Sequence, residues 1–145
     1  MKTYIFDIDN TIANNEHRIH HLRAVPKEWS SWHAKYLDDT PYWEIIELMD
    51  MAHESGIKVI LCTGRDANYR EETIKWLDEH AIHYDKLYMR PKGERKDDSE
   101  VKRDLLKEIR KDGFDPVLVF EDRDRVVKMW REEGLRCLQV AEGNF

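Results

Sequence analysis

Short runs of β-branched, aromatic and aliphatic residues recur along the chain, and segments of helical period separate them. Thr3–Ile8, Ile57–Cys62 and Val117–Phe120 are too short for helices, and their near-continuous apolar character is that of strands buried on both faces. Lys86–Met89 and Leu135–Val140 are weaker examples of the same pattern. Between the runs, Trp43, Ile46, Met49 and Ala52 fall on one helical face, as do Tyr69, Thr73, Trp76 and Leu77. Val101, Leu105 and Ile109 make a third stripe, and Val126, Val127 and Trp130 a fourth. Gly56, Gly113 and Gly134 follow three of these segments, where helices are expected to stop. Strands alternating with helices predict an α/β fold, a mainly parallel sheet with helices on both faces. Its ligand site is then expected outside the carboxyl ends of the strands.

That rule singles out particular residues. Asp9 follows the first run, Thr63-Gly64-Arg65 the second, and Glu121-Asp122-Arg123 the third. These groups are charged or polar and of complementary sign, and they are expected to meet at one edge of the sheet.

With 145 residues the chain fits one domain, taken as residues 1–145, with a core of ordinary size. Composition is 41% hydrophobic and 37% charged, which with recurring apolar runs excludes a disordered chain. No stretch approaches the roughly 20 apolar residues needed to cross a bilayer, and no basic-then-apolar leader opens the sequence, so a cytoplasmic location is expected. Cys62 and Cys137 both sit in apolar runs and read as buried free thiols. The net charge of −6 supplies no global attraction to nucleic acid, although a local basic groove is compatible with it.

Asn14–Thr40 breaks the alternation and predicts a small helical insert beside the sheet, rich in His, Trp and Arg. Pro91–Asp98 reads as an exposed polar loop.

The chemistry starts with two carboxylates one residue apart. Side chains two positions apart share a face in a strand, so Asp7 and Asp9 can address one ligand. One can attack as a nucleophile while the other serves as general acid and base. A carboxylate attacks an anionic phosphate only where cations neutralise the charge. Lys102 offers a point charge, Arg65 a fork, and Thr63 with the Gly64 N–H a phosphate cradle beside an expected helix start. Glu121 and Asp122 are hard oxygen ligands suited to magnesium.

Asp7-Ile8-Asp9-Asn10-Thr11, Thr63-Gly64-Arg65, Lys102 and Glu121-Asp122 resemble, in order, the four motifs of the haloacid dehalogenase superfamily. The resemblance implies a Rossmann-like sheet and a magnesium-dependent phosphatase with an aspartyl-phosphate intermediate. Asp7 would be the nucleophile, Asp9 the acid/base, and Thr63 and Lys102 the phosphate holders. Asp7, the Asp9 carbonyl and Asp122 would bind Mg2+, with Glu121 standing where an Asp is usual. A narrower likeness, in Arg95–Lys102 and in Glu121–Phe145, is to the phosphatase half of phage polynucleotide kinase/phosphatases. It implies removal of a 3′-phosphate from a DNA or RNA end, with Arg18, Arg65 and Asp98 as accessory residues; Thr11, Gly64 and Arg123 are further candidate substrate contacts. The GxxxxGK[ST] loop that a kinase half needs is absent from these 145 residues.

Plainer readings stand beside these. Arg65 can pair with Asp66 or Glu71, and Arg18 can be a structural salt bridge. His17 and His21 have zinc-compatible i, i+4 spacing but no third ligand nearby. Trp29, Trp32 and Tyr36 can anchor the insert or stack on bases. A small-metabolite or nucleotide phosphatase, and a non-catalytic binding protein of the same fold, remain as alternative functions.

Overall fold

The five apolar runs pair side by side into one sheet. In the computed structural model, which describes residues 1–18 and 35–145, the strands are β1 (Lys2–Phe6), β4 (Lys58–Asp66), β5 (Lys86–Arg90), β6 (Asp115–Glu121) and β7 (Arg136–Gln139). Their spatial order is β5-β4-β1-β6-β7, and every neighbouring pair is parallel. A second, two-stranded antiparallel ribbon joins β2 (Ala13–Asn14) to β3 (Thr40–Pro41). Among the described residues four helices flank the sheet: α1 (Trp43–Glu54), α2 (Arg70–Glu79), α3 (Asp98–Lys111) and α4 (Asp124–Glu132).

The pleat explains the layering. Along β1 and β4, Ile5, Ile60 and Cys62 enter one core with Val101, Leu105 and Ile109 of α3 and Val126, Val127 and Trp130 of α4. Phe6, Val59 and Leu61, one position out of phase, enter a second core with Ile46, Met49 and Ala52 of α1 and Trp76 and Leu77 of α2. Phe6 and Phe120 stack across β1 and β6 with centroids 4.4 Å apart, a pairing worth about 0.5–1.5 kcal/mol beyond the area it buries. Cys62 and Cys137 are buried free thiols, as expected.

The chain runs outward from β1 through β4 to β5, then returns by α3 to β6 on the other side. The direction of winding therefore reverses between β1 and β6, which opens a crevice at their carboxyl ends.

Two expectations change. Trp43 opens α1 but is half exposed, with its ring leaning on His80 rather than in the core. Strand β4 continues to Asp66, so Thr63 and Gly64 lie within a strand end and α2 starts only at Arg70. Of the insert, the described parts are the β2–β3 ribbon and two single 3₁₀ turns, Glu16–Arg18 and Tyr36–Asp38. His20, His21, Trp29, Trp32 and His33 lie outside the described residues. Among the described residues no helix is long and apolar enough to cross a membrane.

Candidate active site

The residues picked out at the strand ends meet in the crevice. The Asp7 N–H donates to the Phe120 carbonyl at 3.0 Å, which ties β1 to β6 at its last rung. The chain then folds back at once. The N–H groups of Thr11, Ile12 and Ala13 all donate to the Ile8 carbonyl, at 3.0–3.1 Å, and Asn10 takes a left-handed conformation with φ 60°. This turn brings the Thr11 hydroxyl onto Asp7 Oδ2 at 2.9 Å.

The other Asp7 oxygen accepts from Lys102 Nζ at 2.9 Å. Lys102 belongs to the first half of α3 and is buried, although it sits beside an apolar stripe. Its ammonium also donates to Glu121 Oε2 at 2.7 Å and lies 3.9 Å from Asp98. Burial works against the charge, and the facing carboxylates of Asp7, Glu121 and Asp98 outweigh it, so the pKa is raised well above that of an ordinary lysine.

Glu121 is satisfied at both oxygens. Oε2 also accepts from Trp130 Nε1 at 3.4 Å, and Oε1 accepts from the backbone N–H groups of Asp122 and Arg123 at 3.3 and 3.5 Å. Asp122 takes a hydrogen bond from Asn10 Nδ2 at 3.1 Å. Asp7, Glu121 and Asp122 each present a buried carboxylate oxygen, all within 4.8 Å of one another. Burial first, and the Asp7 charge next, pushes Glu121 and Asp122 above the usual carboxylate range. Among the described residues, the ammonium beside these acids is that of Lys102, which reaches Asp7 and Glu121. The donor set and its surplus negative charge suit a hard divalent cation.

Asp9 is held by a different set of cations. Arg65 grips it as a fork, Nε to Oδ2 at 3.1 Å and Nη2 to Oδ1 at 2.8 Å, and Arg18 Nη2 reaches Oδ1 at 2.6 Å. Burial favours the neutral acid, but the Arg65 and Arg18 charges prevail and hold Asp9 well below the usual carboxylate range. Arg65 thus pairs with Asp9 rather than with Asp66 or Glu71. Its Nη1 also donates to Thr73 Oγ1 at 3.1 Å. Both guanidiniums lie over the Tyr36 ring, 3.7 Å from its centroid for Arg65 and 4.6 Å for Arg18.

The remaining predicted residues line the rim. Thr63 is buried, its hydroxyl accepting from the Arg65 N–H at 3.1 Å. Gly64 is in close contact with Asp98, and a Cβ built there would stand 1.8 Å from Asp98 Oδ1. Only glycine permits that approach. Asp98 lies 3.4 Å from Arg90 Nη2 and 3.7 Å from Arg123 Nη1. Arg123 itself is drawn toward the tail, its Nε donating to the Phe145 carbonyl at 2.7 Å.

Two members of the cluster were not among the expected site residues. Asp39 is buried and accepts from both Arg18 and His17, and Arg90 donates from Nε to the Gly64 carbonyl at 2.7 Å. Neither stands in a motif.

The model of the family described as the polynucleotide kinase PNKP phosphatase domain matches residues 1–145. A solved structure, "Structure of the Pnkp1/Rnl/Hen1 RNA repair complex", aligns with a TM-score of 0.86 at 31% identity, covering 99% of this chain and 43% of that one. A second structure of a Pnkp1/Rnl/Hen1 complex gives 0.85 and 31%, covering 99% and 47%. The chain therefore spans less than half the length of these two relatives. A haloacid dehalogenase-like hydrolase from Streptococcus pneumoniae shares the fold, with a TM-score of 0.70 at 16% identity over 96% of this chain and 84% of that one. With a family match along its whole length and the DxDxT, lysine and acid-pair residues gathered at one sheet edge, the chain belongs to the polynucleotide kinase phosphatase-domain family of haloacid dehalogenase-like phosphatases.

Proposed function

We propose that the chain is a magnesium-dependent phosphomonoesterase that removes 3′-phosphates from nucleic-acid ends by way of an aspartyl-phosphate at Asp7. The observation that carries this reading is the treatment of the Asp7 carboxylate. Thr11 and Lys102 hold one oxygen each at the sheet's carboxyl edge, with Asp122 alongside. A carboxylate so held is aimed and partly neutralised, as an attack on an anion requires.

In this mechanism an Asp7 oxygen forms a bond to phosphorus as the bond from phosphorus to the ester oxygen breaks, and Asp9 delivers a proton to the departing alkoxide. Water then attacks the phosphorus of the aspartyl-phosphate and gives its proton to Asp9, releasing inorganic phosphate and restoring Asp7. Lys102, Thr63 and the Gly64 N–H bind the phosphoryl oxygens. Asp7, Asp122 and the Asp9 carbonyl would hold the magnesium, and Glu121, which fixes Lys102, would add charge there. When bound, the ion supplies positive charge to the transferring group. Asp9 is an anion under the two arginines, so its acid role requires it to take up a proton as the anionic phosphate enters and offsets their charge. Asp98 and Arg123 guide the rest of the substrate, and residues 1–145 act as one domain.

The substrate class rests on the family match and on the relatives seen within an RNA repair complex. A panel of 3′-phosphorylated RNA, 3′-phosphorylated DNA, 3′-mononucleotides and sugar phosphates tests it, with magnesium and with chelator. The reading expects oligonucleotides to turn over faster than mononucleotides, with oligonucleotide binding weakening as salt rises. Equal rates across the panel would favour a small-molecule phosphatase.

A further inference from the structure

Asp39 follows the 3₁₀ turn Tyr36–Asp38 and precedes β3, and its side chain has no exposed surface. Oδ1 accepts from Arg18 Nε at 2.8 Å and Oδ2 from Arg18 Nη2 at 2.7 Å, a two-point fork. Arg65 Nη2 stands 3.5 Å from Oδ2, and His17 Nε2 lies 2.6 Å from Oδ1 at the rim. The Asp39 carbonyl accepts from Trp76 Nε1 of α2 at 2.8 Å, which fixes the backbone as well. The same Arg18 Nη2 that binds Asp39 also reaches Asp9 at 2.6 Å. A continuous relay therefore runs from the α2 core through Asp39 to the two guanidiniums and on to Asp9.

Stability alone does not explain this arrangement. A buried ion pair is often no more stabilising than apolar residues of the same volume. An apolar side chain at position 39 would pin the end of the insert equally well. It would not hold two guanidiniums with one edge turned to Asp9. The fork on Arg18 sets the direction of that edge, and the Tyr36 ring beneath both cations sets their plane.

From this geometry we propose that Asp39 is a positioning residue. Acting through Arg18 and Arg65, it presents the Asp9 carboxyl to the ester oxygen of the leaving group. The inference rests on the phosphatase reading given above and goes beyond it, because it assigns Asp39 to leaving-group departure and not to phosphate binding.

The test compares two monoesters under single-turnover conditions with magnesium, following the first release of alcohol. p-Nitrophenyl phosphate releases a phenolate that needs no proton, whereas a 3′-phosphorylated oligonucleotide releases an alkoxide that does. Asp39→Asn keeps the shape but loses one arm of the fork. Misplacing a catalytic group costs on the order of 100-fold, so release from the oligonucleotide should fall by about that factor with KM little changed. Release of nitrophenolate should change by less than about threefold, since general-acid help, worth roughly 100-fold or more, is not needed there. Equal losses on both esters, or no loss on either, would overturn the proposal. Should Asp39→Asn not fold, His17→Ala removes a rim contact to the same oxygen, and the same selective loss, smaller in size, is then required. A wild-type protein that releases neither alcohol would instead refute the phosphatase reading, and this inference with it.

Discussion

Lys102→Met removes the ammonium that faces Asp7 and Glu121 inside the crevice. The lysine side chain is 1% exposed, Asp7 6% and Glu121 2%, with contacts of 2.9 and 2.7 Å. Screening is therefore weak, and breaking a buried pair by deleting one partner costs about 3–5 kcal/mol because the partner charge is stranded. Here two carboxylates are stranded at once, which places the effect in the upper part of that range. A domain of this size has a total stability of roughly 5–15 kcal/mol, so a third or more is at stake. In urea, with a slope of about 1–3 kcal/mol per molar, the midpoint should drop by roughly 2 M. The pH dependence follows from the sign of the shift. A lysine whose folded pKa is raised contributes its full stability below the unfolded value near 10.5 and loses it only above that. The stranded Glu121, already pushed above the usual carboxylate range, takes up a proton in the variant on acidification, so the wild-type advantage should be fullest near pH 9 and shrink toward pH 5. Pairing the change with Glu121→Gln should restore part of the loss, since one stranded charge is gone. A Lys102→Met protein with an unchanged urea midpoint would refute the claim that this lysine holds the two acids together.

Two further outcomes follow from the same cluster. Asp122→Asn in metal-free protein should melt above wild type, while magnesium should raise the melting temperature of the wild type and not of the variant. A carboxyl whose folded pKa lies above its unfolded value is a load that grows as pH rises between the two, so the variant's advantage should shrink on acidification from pH 8 to 5; differential scanning fluorimetry reads both effects. Gly64→Ala forces Asp98 to move from a Cβ 1.8 Å away, and overpacking of this kind costs about 1–3 kcal/mol, seen as a lower urea midpoint with activity reduced alongside.

Much of the sheet could be read from the chain alone, because a strand covered on both faces leaves a continuous apolar run. The runs at Ile5, Ile60 and Val119 are of this kind. β7 was weaker for a physical reason. It is an edge strand, and of Arg136–Gln139 only Cys137 is buried. Trp43 carried the right periodicity, but at the first turn of α1 it is half exposed and leans on His80. In the site, Asp7, Asp9 and Asp122 were recognisable because the motifs place them just beyond strand ends, and Lys102 by its motif position, which falls in α3. Arg18 and Arg65 showed their charge but not their partners, and the structure turns both toward Asp9. Asp39 was not legible at all. In Leu37-Asp38-Asp39-Thr40 it looks like any acid of a solvated turn, and its burial depends on arginines distant in sequence and on the indole of Trp76.

The central claim is that Asp7 carries the phosphoryl group. Asp9→Asn mixed with p-nitrophenyl phosphate and magnesium, then quenched in acid, should retain one phosphoryl group on the peptide containing Asp7, since the good leaving group departs without a proton and hydrolysis lacks its base. Hydroxylamine should remove that group, as it does an acyl phosphate. A stable label on another residue, or undiminished turnover in Asp7→Asn, would contradict the account.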